Sequence, residues 1–245
     1  MSRTLYLRVE RGEVGDYVLL TGDPARVDRI AAKLEQAAVI AHNREFYSVT
    51  GLHRGRRISA VSSGIGAPSA AIAVEELAQL GVRAVARVGT MMGVRAPLGS
   101  LVISTGAARF EGASAHYLPL EFPAVPDWAL AQALCTAAKQ TPLPLFTGMT
   151  ATYDAFYPKM APALVGRGQP DLDQLRAAGV LAMDMETSLL YVLASRLGIA
   201  AASLCLVTNE ADPFTILDSE KRAINEDILI QTALAGLADW DDRHE

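Results

Sequence analysis

Apolar residues along this chain alternate between short continuous runs and longer stretches with a helical period. "YVLLT" (17–21) has the length and composition of a buried strand. "GDPARVDRIAAKL" follows, with Asp23 placed to cap a helix that starts at Pro24, where a missing N–H costs nothing. "AAVIA" and "RRISAVSSG" predict further strands, and "APSAAIAVEELAQLG" a helix closed by Gly81. "RAVARVG" and "SLVISTGAA" predict strands, the second ending near Ala108. A helix is expected over 128–139, a strand leading into a loop in "PLFTGMTATYDAF", and a strand in "GVLAMDM". Then come a helix in "ETSLLYVLASRLG" closed by Gly198, a buried strand in "AAASLCLVTNE", and a C-terminal helix over 219–238. Residues 158–173, "PKMAPALVGRGQPDLD", have no period and read as a loop at the edge of a site. This alternation predicts one α/β domain over 1–245, with a mixed, largely parallel sheet flanked by helices. Ligands of such sheets gather at the carboxyl ends of strands. Gly22, Gly64, Arg87, Glu186 and Asn209 all fall at those ends.

Composition narrows the function classes. The chain has 245 residues, 51% apolar, with a formal charge of -5. An acidic chain is a poor coat for nucleic acid. Its longest apolar runs are too short to span a bilayer, and "MSRTLYLRVERGE" lacks the apolar stretch expected of a signal peptide. Cys135 and Cys205 fall in apolar patterns, as core thiols of a reducing cytoplasm do. His42, His53, His116 and His244 lack metal-ligand spacing, so no metal is expected.

Individual motifs leave alternatives open. In "TGDPARV", Gly22 and the helix N-terminus can face an anion, with Arg26 adding a bidentate contact; a well-capped helix with a solvated arginine is the alternative, and spacing alone favours it. "SSGIGAPSAA" suggests a dinucleotide fingerprint, but the third glycine position is Ser69 and the ribose-binding acid is missing. In "ARVGTMMGV" (86–94), a strand ends at Arg87 and runs into what reads as an anion-cradling loop with Thr90. Arg87 needs an anion there, either a ligand or a structural carboxylate. Met91 and Met92 either line a pocket or turn into the core. In "AMDMETSLL", Asp184 and Glu186 can cap a helix or bind sugar hydroxyls around Met185. Asn209 suits an Asx turn or the edge of a heterocycle.

Taken together and in order, "GDPARV", "HNREF", "GIGAPSAAIAVEELAQLG", "RVGT", "GASAHYLPLEFPAVPD", "DAFYP" and "MDMETS" resemble the nucleoside phosphorylase family, in particular its uridine phosphorylase-like branch. The resemblance spans residues 15 to about 238 and implies that family's fold. It implies reversible phosphorolysis, in which a nucleoside and orthophosphate give ribose 1-phosphate and free base. No cofactor is implied, because orthophosphate is a co-substrate. Gly22, Arg26, Arg87 and Thr90 match phosphate-binding positions. Arg44 matches an arginine that completes the neighbouring subunit's site, which implies at least a homodimer; hexamers are common in the family. Asp184, Met185 and Glu186 match the ribose side, and Phe156 an aromatic against the base. The resemblance also gives Arg26, Arg87 and Glu186 the catalytic work: positioning the anion and stabilising charge at the sugar.

The departures cluster around the base and ribose. Met160 and Pro162 stand where uridine enzymes place the glutamine and arginine that read uracil; Arg167 and Gln169 follow a few residues later. Glu210 stands in place of an arginine, Asp184 in place of the commoner glutamate, and Tyr6 in place of a ribose-capping histidine from the neighbouring subunit. Met91 and Met92 replace smaller residues beside the base, which groups them with Phe156 and Asn209 as base-side candidates. Uridine is therefore the leading substrate, with a purine nucleoside as the alternative through Asn209. A protein of another class, binding nucleosides without turnover, would also explain lost base contacts. A hydrolytic nucleosidase would have no use for the arginines.

Overall fold

A computed structural model describes residues 3–157, 170–210 and 215–240. Met160, Pro162, Arg167 and Gln169 lie outside them. The elements are β1 (Tyr17–Thr21), α1 (Pro24–Ala31), β2 (Glu35–Asn43), β3 (Phe46–His53), β4 (Arg56–Ser62), α2 (Ala67–Gln79), β5 (Ala84–Gly93) and β6 (Leu101–Phe110). They continue with a 3-10 turn (Ala113–His116), α3 (Trp128–Ala138), β7 (Leu145–Tyr153), α4 (Leu172–Ala177), β8 (Ala182–Asp184), α5 (Thr187–Leu197), β9 (Ala200–Glu210) and α6 (Ser219–Asp239).

One nine-stranded sheet runs in the order β2-β3-β4-β1-β5-β8-β7-β6-β9. Five of its pairings are parallel and four antiparallel. Because β5 also pairs with β9, the strands β5, β8, β7, β6 and β9 close into a ring. Along β1, Tyr17 and Leu19 join one buried cluster with α1, α3 and α6. Val18 and Leu20 join another with α2 and α5. Burial on both faces explains why the strands read as continuous apolar runs. On β5, Val85 turns towards the α2 and α5 side, and strand alternation carries Arg87 to that face.

The predicted caps are present. Asp23 accepts the Ala25 N–H with Pro24 opening α1, and Gly198 closes α5 at φ +70°. Three departures are instructive. β3 was not expected, since its serine, threonine, glycine and histidine carry no apolar period; pairing on both sides makes it a strand. Gly51 is required there, because a Cβ would stand 2.8 Å from that of Leu34. Next, "ARVGTMMGV" is not a loop: β5 continues through Met91 and Met92 to Gly93. It is held by β9, where Thr208 is the extra residue of a bulge opposite Met91 and Met92. Finally, the expected loop over 158–173 gives way at its end to α4, where Asp171 and Gln174 form a capping box.

Candidate active site

A cavity of about 680 Å³ opens at the ends of β1, β5, β8 and β9. Eleven of the candidate binding residues line it: Gly22, Arg26, Arg87, Thr90, Met91, Met92, Phe156, Asp184, Met185, Glu186 and Asn209. Tyr6 and Arg44 do not. Arg222, Met183 and Ile65 line it without having been anticipated. Arg222 sits in "SEKRAINED", which reads as a solvated helix face.

Arg87 is 4% exposed at the cavity wall. Its Nε donates to Asp184 Oδ2 at 2.9 Å, and its Nη2 pairs with Glu186 Oε2 at 2.6 Å. Gly89, two residues along the same strand face, leaves room for the guanidinium; a Cβ there would stand 3.1 Å from Arg87 Cζ. Burial disfavours the Arg87 charge, but Glu186 and Asp184 outweigh it and raise its pKa above the ordinary arginine value. The structural-carboxylate partner and the cavity position therefore coexist.

The two acids divide their work. Asp184 is fully engaged within the protein: besides Arg87 it accepts from Thr152 Oγ1 at 2.9 Å and from the Thr187 N–H and hydroxyl. These bonds tie Asp184 to the protein, although it still borders the cavity. Glu186 does not cap its own helix. Its Oε1 instead accepts the Gly66 N–H at 2.6 Å, at the positive end of α2. Gly66 reaches this position with φ +99°, so this glycine serves a protein carboxylate. Burial pushes the Glu186 pKa up, against the pull of Arg87 and with a further push from Asp184.

Arg26 is also 4% exposed, which overturns the solvated-arginine alternative. Its Nη1 donates to Thr21 Oγ1 at 2.7 Å and its Nη2 faces Glu226 Oε1 at 3.4 Å. Its buried Nε has no partner.

The opposite side of the cavity is apolar. Met91 and Met92 are 2% and 1% exposed. Each packs into a core cluster and also borders the cavity, so the two alternatives for these methionines are not exclusive. Met92 meets Met183, Tyr153 and partly buried Phe156. Asn209 opposes Met92 across the β5–β9 pairing, and its buried Nδ2 has no partner.

Tyr6 and Arg44 sit together outside the lining of this cavity. Arg44, at φ +56° in the β2–β3 turn, holds its guanidinium 6.0 Å from the Tyr6 ring centre. Glu76 accepts the N–H groups of Tyr6 and Leu7 at 2.8 and 2.7 Å. Asn43 Nδ2 donates to the Tyr6 carbonyl at 2.8 Å.

Among the described residues no group of three or more His, Cys, Asp or Glu is placed to hold a metal ion. None of the helices there is long and apolar enough to cross a membrane.

Residues 16–235 match the model of the "Phosphorylase superfamily". The chain is 36% identical to a guanosine phosphorylase of Halorubrum lacusprofundi, over 95% of this chain and 92% of that protein. It is 36% identical to a uridine phosphorylase of Thermococcus kodakarensis, over 98% and 88%. A solved uridine phosphorylase from Vibrio fischeri superposes with a TM-score of 0.87 at 30% identity, covering 97% of this chain and 98% of that one. Likeness across almost the whole length of both partners includes every strand end that builds the cavity, and the chain belongs to the phosphorylase superfamily.

Proposed function

We propose that this chain catalyses the reversible phosphorolysis of a nucleoside by orthophosphate, with uridine-type nucleosides as the leading substrates. The observation that carries the reading is the pair of buried arginines, Arg26 and Arg87, on one cavity with the Thr90 hydroxyl. Buried cations beside an open space are stabilised by an anion that enters it. Phosphate held by Arg26, Arg87, Thr90 and the Gly22 backbone becomes a positioned nucleophile. Its oxygen bonds to the anomeric carbon as the bond from that carbon to the base nitrogen breaks. The electron pair leaves with the base, and the transient positive charge on the sugar faces the phosphate and Glu186. Glu186 and Met185 hold the ribose, while Asp184 fixes the Arg87 guanidinium. No cofactor or covalent enzyme intermediate is needed.

On this reading Phe156, Met91, Met92 and Asn209 surround the base. The Tyr6–Arg44 pair, pinned by Glu76 and Asn43, is presented to a second subunit's cavity. A homodimer is then the smallest complete enzyme, and a hexamer is a trimer of such dimers. The free thiols Cys135 and Cys205 suit a reducing cytoplasm.

A second reading has its own support. The unpartnered Asn209 Nδ2 is a donor for a ring nitrogen or carbonyl oxygen, and one relative is named for guanosine. Base release from uridine, thymidine, inosine, guanosine and adenosine, with and without phosphate, tests both. Phosphate-dependent turnover of uridine supports the leading substrate. Turnover of inosine or guanosine but not uridine replaces it with a purine nucleoside. Base release in phosphate-free buffer makes the protein a hydrolase, and no release from any substrate leaves a nucleoside-binding protein.

A further inference from the structure

Arg222 lies in the first turns of α6, with its side chain 45% exposed and bordering the cavity. Its Nε donates to Glu226 Oε1 at 2.9 Å, and Arg26 Nη2 faces that same oxygen at 3.4 Å. Two cavity-lining guanidiniums therefore share one oxygen of a carboxylate that is itself buried. The second oxygen of Glu226 is taken by Arg29, which also pairs with Asp227 at 3.1 Å. Lys33 pairs with Asp227 at 3.0 Å. Four cations thus meet two carboxylates. Asp23, which also lines the cavity, is engaged by the Ala25 N–H. The surplus positive charge has a direction. Arg29 and Lys33 spend their charge on acids, whereas Arg26 keeps an unpartnered Nε. Among the described residues Arg222 makes no hydrogen bond through either Nη.

Guanidiniums drawn together on a single oxygen repel unless another anion joins them, and charge-assisted bonds to phosphate supply that. We infer that Arg222 is a further phosphate-binding residue, held by Glu226 as a positioning residue, so that the C-terminal helix closes the anion end of the cavity. The inference rests on the phosphorolysis reading. It adds a group that no motif in the sequence marked.

Arg222 is exposed enough to replace without endangering the fold. In the full-length protein, inorganic phosphate binding is measured by calorimetry, and initial rates are measured against phosphate and nucleoside separately. Arg222→Gln is expected to weaken phosphate about tenfold in both Kd and KM. The KM for nucleoside should stay within about twofold, and Arg222→Lys should recover part of the loss. Unchanged phosphate Kd and KM, or a rise confined to the nucleoside KM, overturns the assignment. Wild-type protein that neither binds phosphate nor releases base in its presence overturns phosphorolysis itself, whatever Arg222→Gln does.

Discussion

Arg87 and Asp184 are joined across the sheet by a 2.9 Å bond between Nε and Oδ2, and both side chains are buried. Asp184 sits at the end of β8, while Arg87 is inside β5, 97 residues away in sequence. Removing one member of such a pair leaves an uncompensated charge. Asp184→Ala should therefore cost about 3 kcal/mol of stability. It should also raise the phosphate KM, because Glu186 alone would orient the guanidinium. Denaturant unfolding and phosphate-dependent rates check the two effects, and a stable variant with normal phosphate KM would refute the positioning role.

Arg87→Ala should abolish phosphorolysis, since it removes the cation and leaves Asp184 and Glu186 facing each other. Activity retained at the wild-type level would place the phosphate elsewhere.

Burial raises the Glu186 pKa, so its charged form is reached at higher pH than for a free carboxylate. Ribose anchoring by the carboxylate should make kcat/KM climb with pH through that raised value. Glu186→Gln should lower the rate and flatten this limb. The sign for stability is opposite: a folded pKa above the unfolded one stabilises below the unfolded value and is lost as pH rises through the folded value. A rate profile identical in wild type and Glu186→Gln would exclude the carboxylate from the rate-determining site.

Glu226 behaves in the other direction. Burial opposes its charge, but Arg222, Arg26 and Arg29 outweigh that and lower its pKa. Its contribution to stability is present above the unfolded carboxylate pKa and fades as pH falls through the depressed folded value. Glu226→Gln should lower the Tm at neutral pH, with the gap to wild type closing in acid. A gap independent of pH would show that packing, not charge, is lost.

Met92 is buried against Met183 and Tyr153 while bordering the cavity. Met92→Ala should destabilise by about 2–5 kcal/mol, in line with large-to-small core substitutions. It should also raise the ratio of inosine to uridine turnover. Destabilisation without any change in that ratio would leave Met92 a core residue only.

Subunit sharing has a direct test. A variant at Arg44 and one at Arg87 should each be inactive alone. Mixed and reassembled, they should regain activity, because each mixed dimer then holds one site with both arginines. No recovery in verified mixed dimers would show that Arg44 serves its own subunit or none.

Much of the molecule was legible in the sequence. Continuous apolar runs such as 17–21 marked strands buried on both faces, and Asp23 before Pro24 marked the start of α1, because these depend on local geometry and burial. The same local chemistry put Gly22, Glu186 and Asn209 at strand ends, whereas Arg87, expected at one, lies inside β5. β3 escaped notice, since strand pairing rather than its own period makes it a strand, and the continuation of β5 through Met91 and Met92 depends on β9 in the same way. The partners of Arg87 were also a tertiary matter. Sequence offered two acids with equal claims, and only the closing of β8 beside β5 gave Asp184 to the arginine and the threonines while leaving Glu186 between Arg87 and the N-terminus of α2. Arg222 looked like any solvated helix charge until Glu226 brought it beside Arg26. Chain-local propensity decides which elements form. Which charges neutralise one another depends on distances of a few ångströms between distant segments, and those exist only once the sheet has closed.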